Sequence, residues 1–494
     1  MSNQTPSLGE IDLDAFRQSG YQLIDWVADY LTNPEQYPVL AQVEPGDIIA
    51  QLPTSPPAEA EPLADIITDF EQIIMPGMTH WNHPNFFAYF SSTGSAPGVL
   101  GELLSAALNI NGMLWRTSPA ATELETLTLD WLCQMLALPQ DWEGVIMDGA
   151  SMSNMIAIAA AREALDLQIR TKGMAGRADL PRLRLYISEQ SHSSVEKGAL
   201  TLGLGQENVI KIPTDDNFAL DAHALQTAIE ADLAAGYRPF FVCGTIGTTS
   251  STAIDPLSAI ADLAAKYKLW FHVDGAYGGT TALLPEMRHH FDGVERADSM
   301  VVNPHKWMFT PIDLSVLYTC HPATLKRAFS ILPEYLRTAE GDAEAVKNYM
   351  DYGVQLGRRF RALKLWMVIR AFGQEGLAAR VREHIRLAQQ FATWVDESPD
   401  FERLAPTLMS NVCFRACPAS YQAQGEAALD QLNAQLLDAV NATGQIFISH
   451  TKLRVYSLRL AVGNIRTTNT HVEAAWQLLN ETLRRFVDSG MGSG

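Results

Sequence analysis

Asn303-Pro304-His305-Lys306-Trp307 follows the apolar run Ser299-Met300-Val301-Val302, so a primary amine stands at the mouth of what reads as a buried strand. A poorly solvated lysine favours its neutral, nucleophilic form, which points to covalent chemistry with a carbonyl. Upstream, Trp270-Phe271-His272-Val273 reads as a second short strand with Asp274 at its end. In open α/β sheets ligands bind outside the carboxyl ends of the strands, so amine and carboxylate are expected on one edge. Such a pair suits an aldehyde cofactor with a pyridine ring, pyridoxal 5'-phosphate: the lysine carries the aldehyde and the aspartate keeps the ring nitrogen protonated. Ala276 and the glycines around it leave room for a flat ring.

Two plainer readings compete. Asp274 as the magnesium-binding aspartate of a nucleotide hydrolase would need a G-x-x-x-x-G-K-[ST] loop, and the chain has none. Lys306 alone would be an ordinary surface lysine, so the weight rests on the pair. For the phosphate, Gly144 to Asn154 reads as a strand, a small-residue turn and then a helix from Met155 to Leu165. N–H groups at a helix start make an anion site without a basic side chain. Ser151 and the Ala150 N–H are the expected phosphate ligands, although Ser151 or Ser153 could equally serve as a helix cap.

Five stretches then carry a resemblance over nearly the whole chain. They are His80-Trp81 with Phe86-Phe87-Ala88-Tyr89-Phe90, Ser118 to Glu125, Ser191-His192-Ser193-Ser194, the Asp274 and Lys306 segments, and Gly357-Arg358-Arg359-Phe360-Arg361. In that order they resemble the group II pyridoxal-phosphate decarboxylases, the aromatic-L-amino-acid decarboxylase family. The resemblance implies an α/β fold of the aspartate-aminotransferase-like type I class, with a mostly parallel central sheet, an N-terminal helical arm and a small α+β C-terminal domain. It also implies a homodimer whose active sites take residues from both subunits.

The same resemblance assigns roles. His192 would stack on the cofactor ring opposite Ala276, Thr249 would sit near the phenolic oxygen, and Asn303 and His305 near the phosphate and the lysine. Tyr335, within Phe329 to Arg337, matches the tyrosine of a mobile catalytic loop and would help protonate Cα after carbon dioxide leaves. Relatives with phenylalanine or asparagine at the corresponding loop or histidine positions form aldehydes instead of amines, so Tyr335 with His192 favours simple decarboxylation. Aromatic aldehyde synthesis and a non-aromatic substrate are the alternatives. Trp81, Phe87, Tyr89 and Phe90 would border an aromatic substrate, and Gly357 would leave space for a large ring. Ser91, Asn111 and Met113 depart from the more apolar residues of the animal enzymes, which makes tryptophan or phenylalanine as good a substrate as tyrosine or DOPA.

The elements that must position these groups are legible at coarse grain. Short apolar runs (Val145-Ile146, Leu183 to Ile187, Phe240 to Val242, Trp270 to Val273, Met300 to Val302) alternate with helical patterns such as Leu257 to Tyr267, which predicts a largely parallel α/β sheet. Helices are expected over Asp14 to Tyr30, Leu63 to Ile74, Arg380 to Glu397 and Val472 to Val487, and a strand over Leu453 to Leu460. The expected division is an arm over residues 1–95, a cofactor-binding domain over 96–376 and a small domain over 377–494.

With 494 residues, 47% hydrophobic, the chain can bury more than one core. A net charge of −20 argues against nucleic acid or an acidic membrane surface as partner. Cys133, Cys243, Cys320, Cys413 and Cys417 form no C-x-x-C pair, so neither a disulfide framework nor a metal site is expected. No apolar run is long enough to span a bilayer and no secretory signal is evident, so the expected home is the cytoplasm. The sequons at Asn3 and Asn441 carry no weight there.

Overall fold

The computed structural model describes residues 11–343 and 345–489; the Asn3 sequon and most of the low-complexity tail from Ser489 lie outside them. Seven strands form the large sheet: β1 (Glu143–Met147), β2 (Leu183–Ser188), β3 (Val209–Ile212), β4 (Arg238–Thr245), β5 (Trp270–Asp274), β6 (Ser299–Val302) and β7 (Ser315–Thr319). Their spatial order is β1-β7-β6-β5-β4-β2-β3. β6, β5, β4, β2 and β3 run parallel, whereas β7 lies antiparallel to both β6 and β1. Parallel strands need crossovers: helices Ser193–Thr201, Ala222–Ala234 and Leu257–Tyr267 supply three, and the 3-10 turns Gly278–Leu283, Pro285–Phe291 and Val294–Arg296 lead from β5 to β6. With helices on both faces, β5 and β6 are buried at every position, which explains why they read as short, mostly apolar runs. All five expected strands lie in this sheet. β3 and β7 are missing from the sequence reading; β3 is a four-residue edge strand interrupted by Lys211.

A second sheet, β10 (Ser449–Lys452), β11 (Tyr456–Ala461), β9 (Asn411–Ala416) and β8 (Phe401–Arg403) in that order, is antiparallel throughout. Helices Glu426–Asn441 and Asn469–Ser489 cover it, and Phe391, Phe414, Leu436, Leu458 and Leu479 fill the core between. The single strand expected over Leu453 to Leu460 is corrected here: Leu453 to Val455 form the turn that separates β10 from β11. The helix expected from Arg380 begins at Ala362 and runs to Glu397, across a break at Gly373 whose φ of 64° is left-handed. It packs on helix Ala96–Leu108 before the break and on β8 and β9 after it, so it ties the two sheets together. The boundary at 376/377 falls inside this helix, and the three-part division is retained as a proposal. Helix Leu13–Thr32 buries none of its own residues and leaves Phe16, Tyr21 and Ile24 exposed.

Candidate active site

β5 ends on Asp274, and β6 leads through Asn303 into the single helical turn Pro304–Trp307 that carries Lys306. Because β5 and β6 are parallel neighbours with Asp274 paired to Val301, both groups reach the same edge. They open into a small, tight cavity lined by Phe90, Ala150, His192, Thr245, Gly247, Thr249, Asp274, Ala276, Tyr277 and Lys306. Burial pushes the Lys306 pKa down while the Asp274 carboxylate pulls it up, and burial dominates, favouring a neutral amine. Lys306 Nζ lies 5.7 Å from the Phe90 ring centroid. That ring stacks on Tyr277 at 3.7 Å and Tyr277 on Trp307 at 4.5 Å, a rigid aromatic wall.

Asp274 accepts the Ala276 N–H at 3.0 Å and a proton of Asn154 Nδ2 at 3.2 Å. Asn303, itself buried, donates its N–H to the Ala276 carbonyl at 3.1 Å and accepts the Lys306 N–H at 2.9 Å, which couples the two chemical segments through backbone. His192 is the N-cap of helix Ser193–Thr201: its Nδ1 accepts the Ser194 N–H at 3.2 Å, and burial lowers its pKa.

The helix after β1 begins at Ala150, five residues earlier than expected, because Gly149 takes an extended N-cap conformation and no bulky side chain interrupts the turn. Neither serine caps it. Ser153 Oγ bonds Ser315 Oγ at 2.9 Å, and Ser151, exposed in the first turn, makes no side-chain hydrogen bond among the described residues. A Cβ built on Gly149 would meet nothing within 4 Å, so space is open above this helix start. The Thr245 hydroxyl and Asn303 Oδ1 are buried without partners. An amine for an aldehyde, a carboxylate for a ring nitrogen, small residues beside it, an open helix N-terminus and unsatisfied polar atoms together fit pyridoxal phosphate.

Other expected residues lie elsewhere. His305 is not a wall of the cavity; its Nδ1 accepts the Leu314 N–H at 2.9 Å and burial brings its pKa to about 4, so it pins the chain leading into β7. The expected aromatic wall is divided. Phe90 lines the cavity, Phe87 is buried in the core of the second sheet, and Trp81 and Tyr89, 39% and 51% exposed, stack on each other at 5.8 Å. The segment is a run of turns and bends rather than a strand, so side chains close in sequence leave it toward different layers. Ser91 is buried and bonds the Phe86 carbonyl at 3.3 Å. Asn111, Met113, Gly357 and Tyr335 belong to a separate patch. Asn111 Oδ1 accepts the Arg358 N–H at 3.0 Å, a Cβ on Gly357 would lie 3.7 Å from Asn111 Nδ2, and Met113 packs beside Leu114, Leu336 and Met350. Tyr335, next to Leu336, is 77% exposed rather than packed against a helix end.

Asn154, Ser194 and His272 carry no role of their own in the sequence reading and Thr245 does not figure in it, yet two of them left signals. His272 lies two residues before Asp274 and so shares its face of β5, and Asn154 lies one helical turn after Ala150 inside an Ala-rich helix.

Residues 45–417 match the family model for the pyridoxal-dependent decarboxylase conserved domain. The chain is 42% identical to phenylacetaldehyde synthase of Arabidopsis thaliana over 96% of its own length and 97% of that protein. It is 41% identical to tryptophan decarboxylase 2 of Oryza sativa over 96% and 95% of the two chains. The crystal structure of Oryza sativa TDC with PLP and tryptamine superposes with a TM-score of 0.93 at 38% identity, covering 97% of this chain and all of that one.

Proposed function

The chain belongs to the pyridoxal-dependent decarboxylase family, pyridoxal-phosphate carboxy-lyases of the type I fold, and on that premise we propose that it converts an aromatic L-amino acid to its amine and carbon dioxide. The observation that carries this reading is the convergence of Lys306, Asp274 and His192 on one enclosed cavity. Bound pyridoxal phosphate supplies the electron sink for the pair released when a bond to the amino-acid Cα breaks. Lys306 would hold its aldehyde and Asp274 its ring nitrogen. Ala276 and His192 would flank the ring, Thr249 would sit near the phenolic oxygen, Asn303 near the phosphate and the lysine, and the Ala150 N–H with Ser151 would take the phosphate at the helix start. The close walls exclude water from the reacting carbon. Tyr335 returns a proton to Cα, and its exposure fits a group that acts from a segment closing over the site.

An aromatic substrate is supported by the likeness to tryptophan decarboxylase and by the exposed Trp81-Tyr89 stack. We also propose a homodimer. Phe16, Tyr21 and Ile24 of one helix and Leu100 and Leu103 of its neighbour line one apolar groove or stand exposed beside it, a surface that a second copy would cover. In that dimer the patch of Asn111, Met113, Gly357 and Tyr335 serves the partner's cavity. No helix among the described residues is long and apolar enough to cross a membrane, all five cysteines are free, and the cytoplasm is the proposed location.

The likeness to phenylacetaldehyde synthase keeps one second reading open, oxidative decarboxylation to an aldehyde. Incubating the holoenzyme with tryptophan, phenylalanine, tyrosine, DOPA, glutamate and leucine while scoring amine, aldehyde, carbon dioxide and hydrogen peroxide separates the readings. Amine and carbon dioxide from an aromatic substrate are expected, lost in Lys306→Ala together with the visible absorbance of the bound cofactor. Aldehyde with peroxide would establish the second reading, and turnover of glutamate or leucine alone would overturn the aromatic assignment.

A further inference from the structure

Asn154 is fully buried, and its one amide touches three groups. Nδ2 lies 3.2 Å from Asp274 Oδ2 and 2.8 Å from Ser194 Oγ, and Oδ1 lies 2.9 Å from His272 Nε2. An ionised Asp274 only accepts, so it must meet the NH2 side of the amide. The amide oxygen therefore faces His272, whose proton is placed on Nε2. His272 Nδ1 is then bare and accepts from the Ser299 hydroxyl at 2.8 Å, which in turn accepts the Trp270 indole N–H at 2.9 Å. On the other arm Ser194 Oγ, having accepted from Asn154, donates to His192 Nδ1 at 2.8 Å, where the Ser194 N–H also donates. His192 is left with its proton on Nε2. The Ser194 backbone N–H can only donate and an ionised Asp274 can only accept, so these two ends set the order of hydrogens through Asn154 and Ser194, and reversing the amide would turn its oxygen against the carboxylate.

We propose that Asn154 is a positioning residue that ties the ionised state of Asp274 to the tautomer of His192, so that the two groups facing the cofactor ring change together. This rests on Asp274 and His192 being the ring partners.

The test uses holoenzyme carrying Asn154→Leu, close in size but unable to hydrogen-bond, Asn154→Asp, which sets a second acceptor against Asp274, and Asp274→Ala as control. Three readouts are taken: the cofactor dissociation constant, the pH midpoint of the bound cofactor's visible band, and the melting midpoint of the cofactor-free protein. Loss of one hydrogen bond to a buried carboxylate should weaken cofactor binding about tenfold in Asn154→Leu. The band midpoint should rise by about one unit, and further in Asn154→Asp. Unchanged affinity and midpoint in Asn154→Leu would overturn the proposal. So would a lower melting midpoint with no shift of the band, which would mean packing alone. If Asp274→Ala also leaves affinity and band untouched, the assignment of Asp274 to the ring has failed; if only the Asn154 variants are silent, that assignment stands and this inference falls.

Discussion

Lowering the pH from 7 to 5 should destabilise the fold through histidines buried as neutral groups, among them His272, His305 and His384. His384 Nδ1 accepts the Trp307 indole N–H at 2.9 Å, His305 Nδ1 accepts the Leu314 N–H, and His272 is held between Asn154 and Ser299. Burial brings all three to a pKa of about 4, whereas an unfolded histidine titrates near 6.5. The unfolded state therefore binds the proton first, so this stability is fully present above pH 6.5 and is lost as pH falls toward 4. At pH 5 the linkage amounts to roughly 2 kcal/mol per histidine, about 6 kcal/mol for the three together. Against a typical total of about 5–15 kcal/mol that is a large fraction. His321, raised to about 10 mainly by its bond to Asp298, has the opposite sign, its stability being present below pH 6.5 and lost above 10; it is partly exposed, so its share is small. Urea unfolding of the cofactor-free protein at pH 7, 6 and 5, followed by tryptophan fluorescence, measures the loss. His384→Gln, which keeps an acceptor for Trp307 but does not titrate, should recover roughly 2 kcal/mol of it. A loss below about 1 kcal/mol, or an equal loss in His384→Gln, would refute the reasoning.

Two further outcomes are expected. Glu125 and Arg358, both buried, form a two-pronged pair at 3.0 and 2.6 Å, and Glu125 also accepts the Ile146 N–H of β1 at 3.0 Å. Glu125→Gln leaves the guanidinium buried without its charge partner and should cost about 3–5 kcal/mol in urea unfolding. Ile24→Glu, placed on the apolar groove, should convert the proposed dimer to monomers in sedimentation analysis and lower turnover with it, whereas an unchanged mass would show that this face is not the interface.

Chemistry was more legible than placement. Lys306 and Asp274 could be paired from sequence because each follows a short, mostly apolar strand, and parallel strands bring their C-terminal residues to one edge. Glu125 and the Gly357-Arg358 motif were noticed separately, and only folding shows them to be one ion pair. Substrate-side residues fall on separate surfaces of the one chain, because a resemblance marks positions along the chain without marking which surface each one faces. Trp81, Phe87 and Phe90 are close in sequence yet lie in three different layers. Helix starts and strand breaks went astray where a small local cause overrode periodicity, Gly149 at one end and the Leu453 to Val455 turn at another.

The amino-acid sequence by itself determined which groups exist to do the chemistry, a desolvated amine, a carboxylate at a strand end and a helix start free of bulk, because residue type and local periodicity specify these. Only the tertiary structure decided their partners. Asn154 meets Asp274, Ser194 and His272 across 120, 40 and 118 residues of chain, and such hydrogen bonds depend on strand order and on helix packing, which no local pattern encodes.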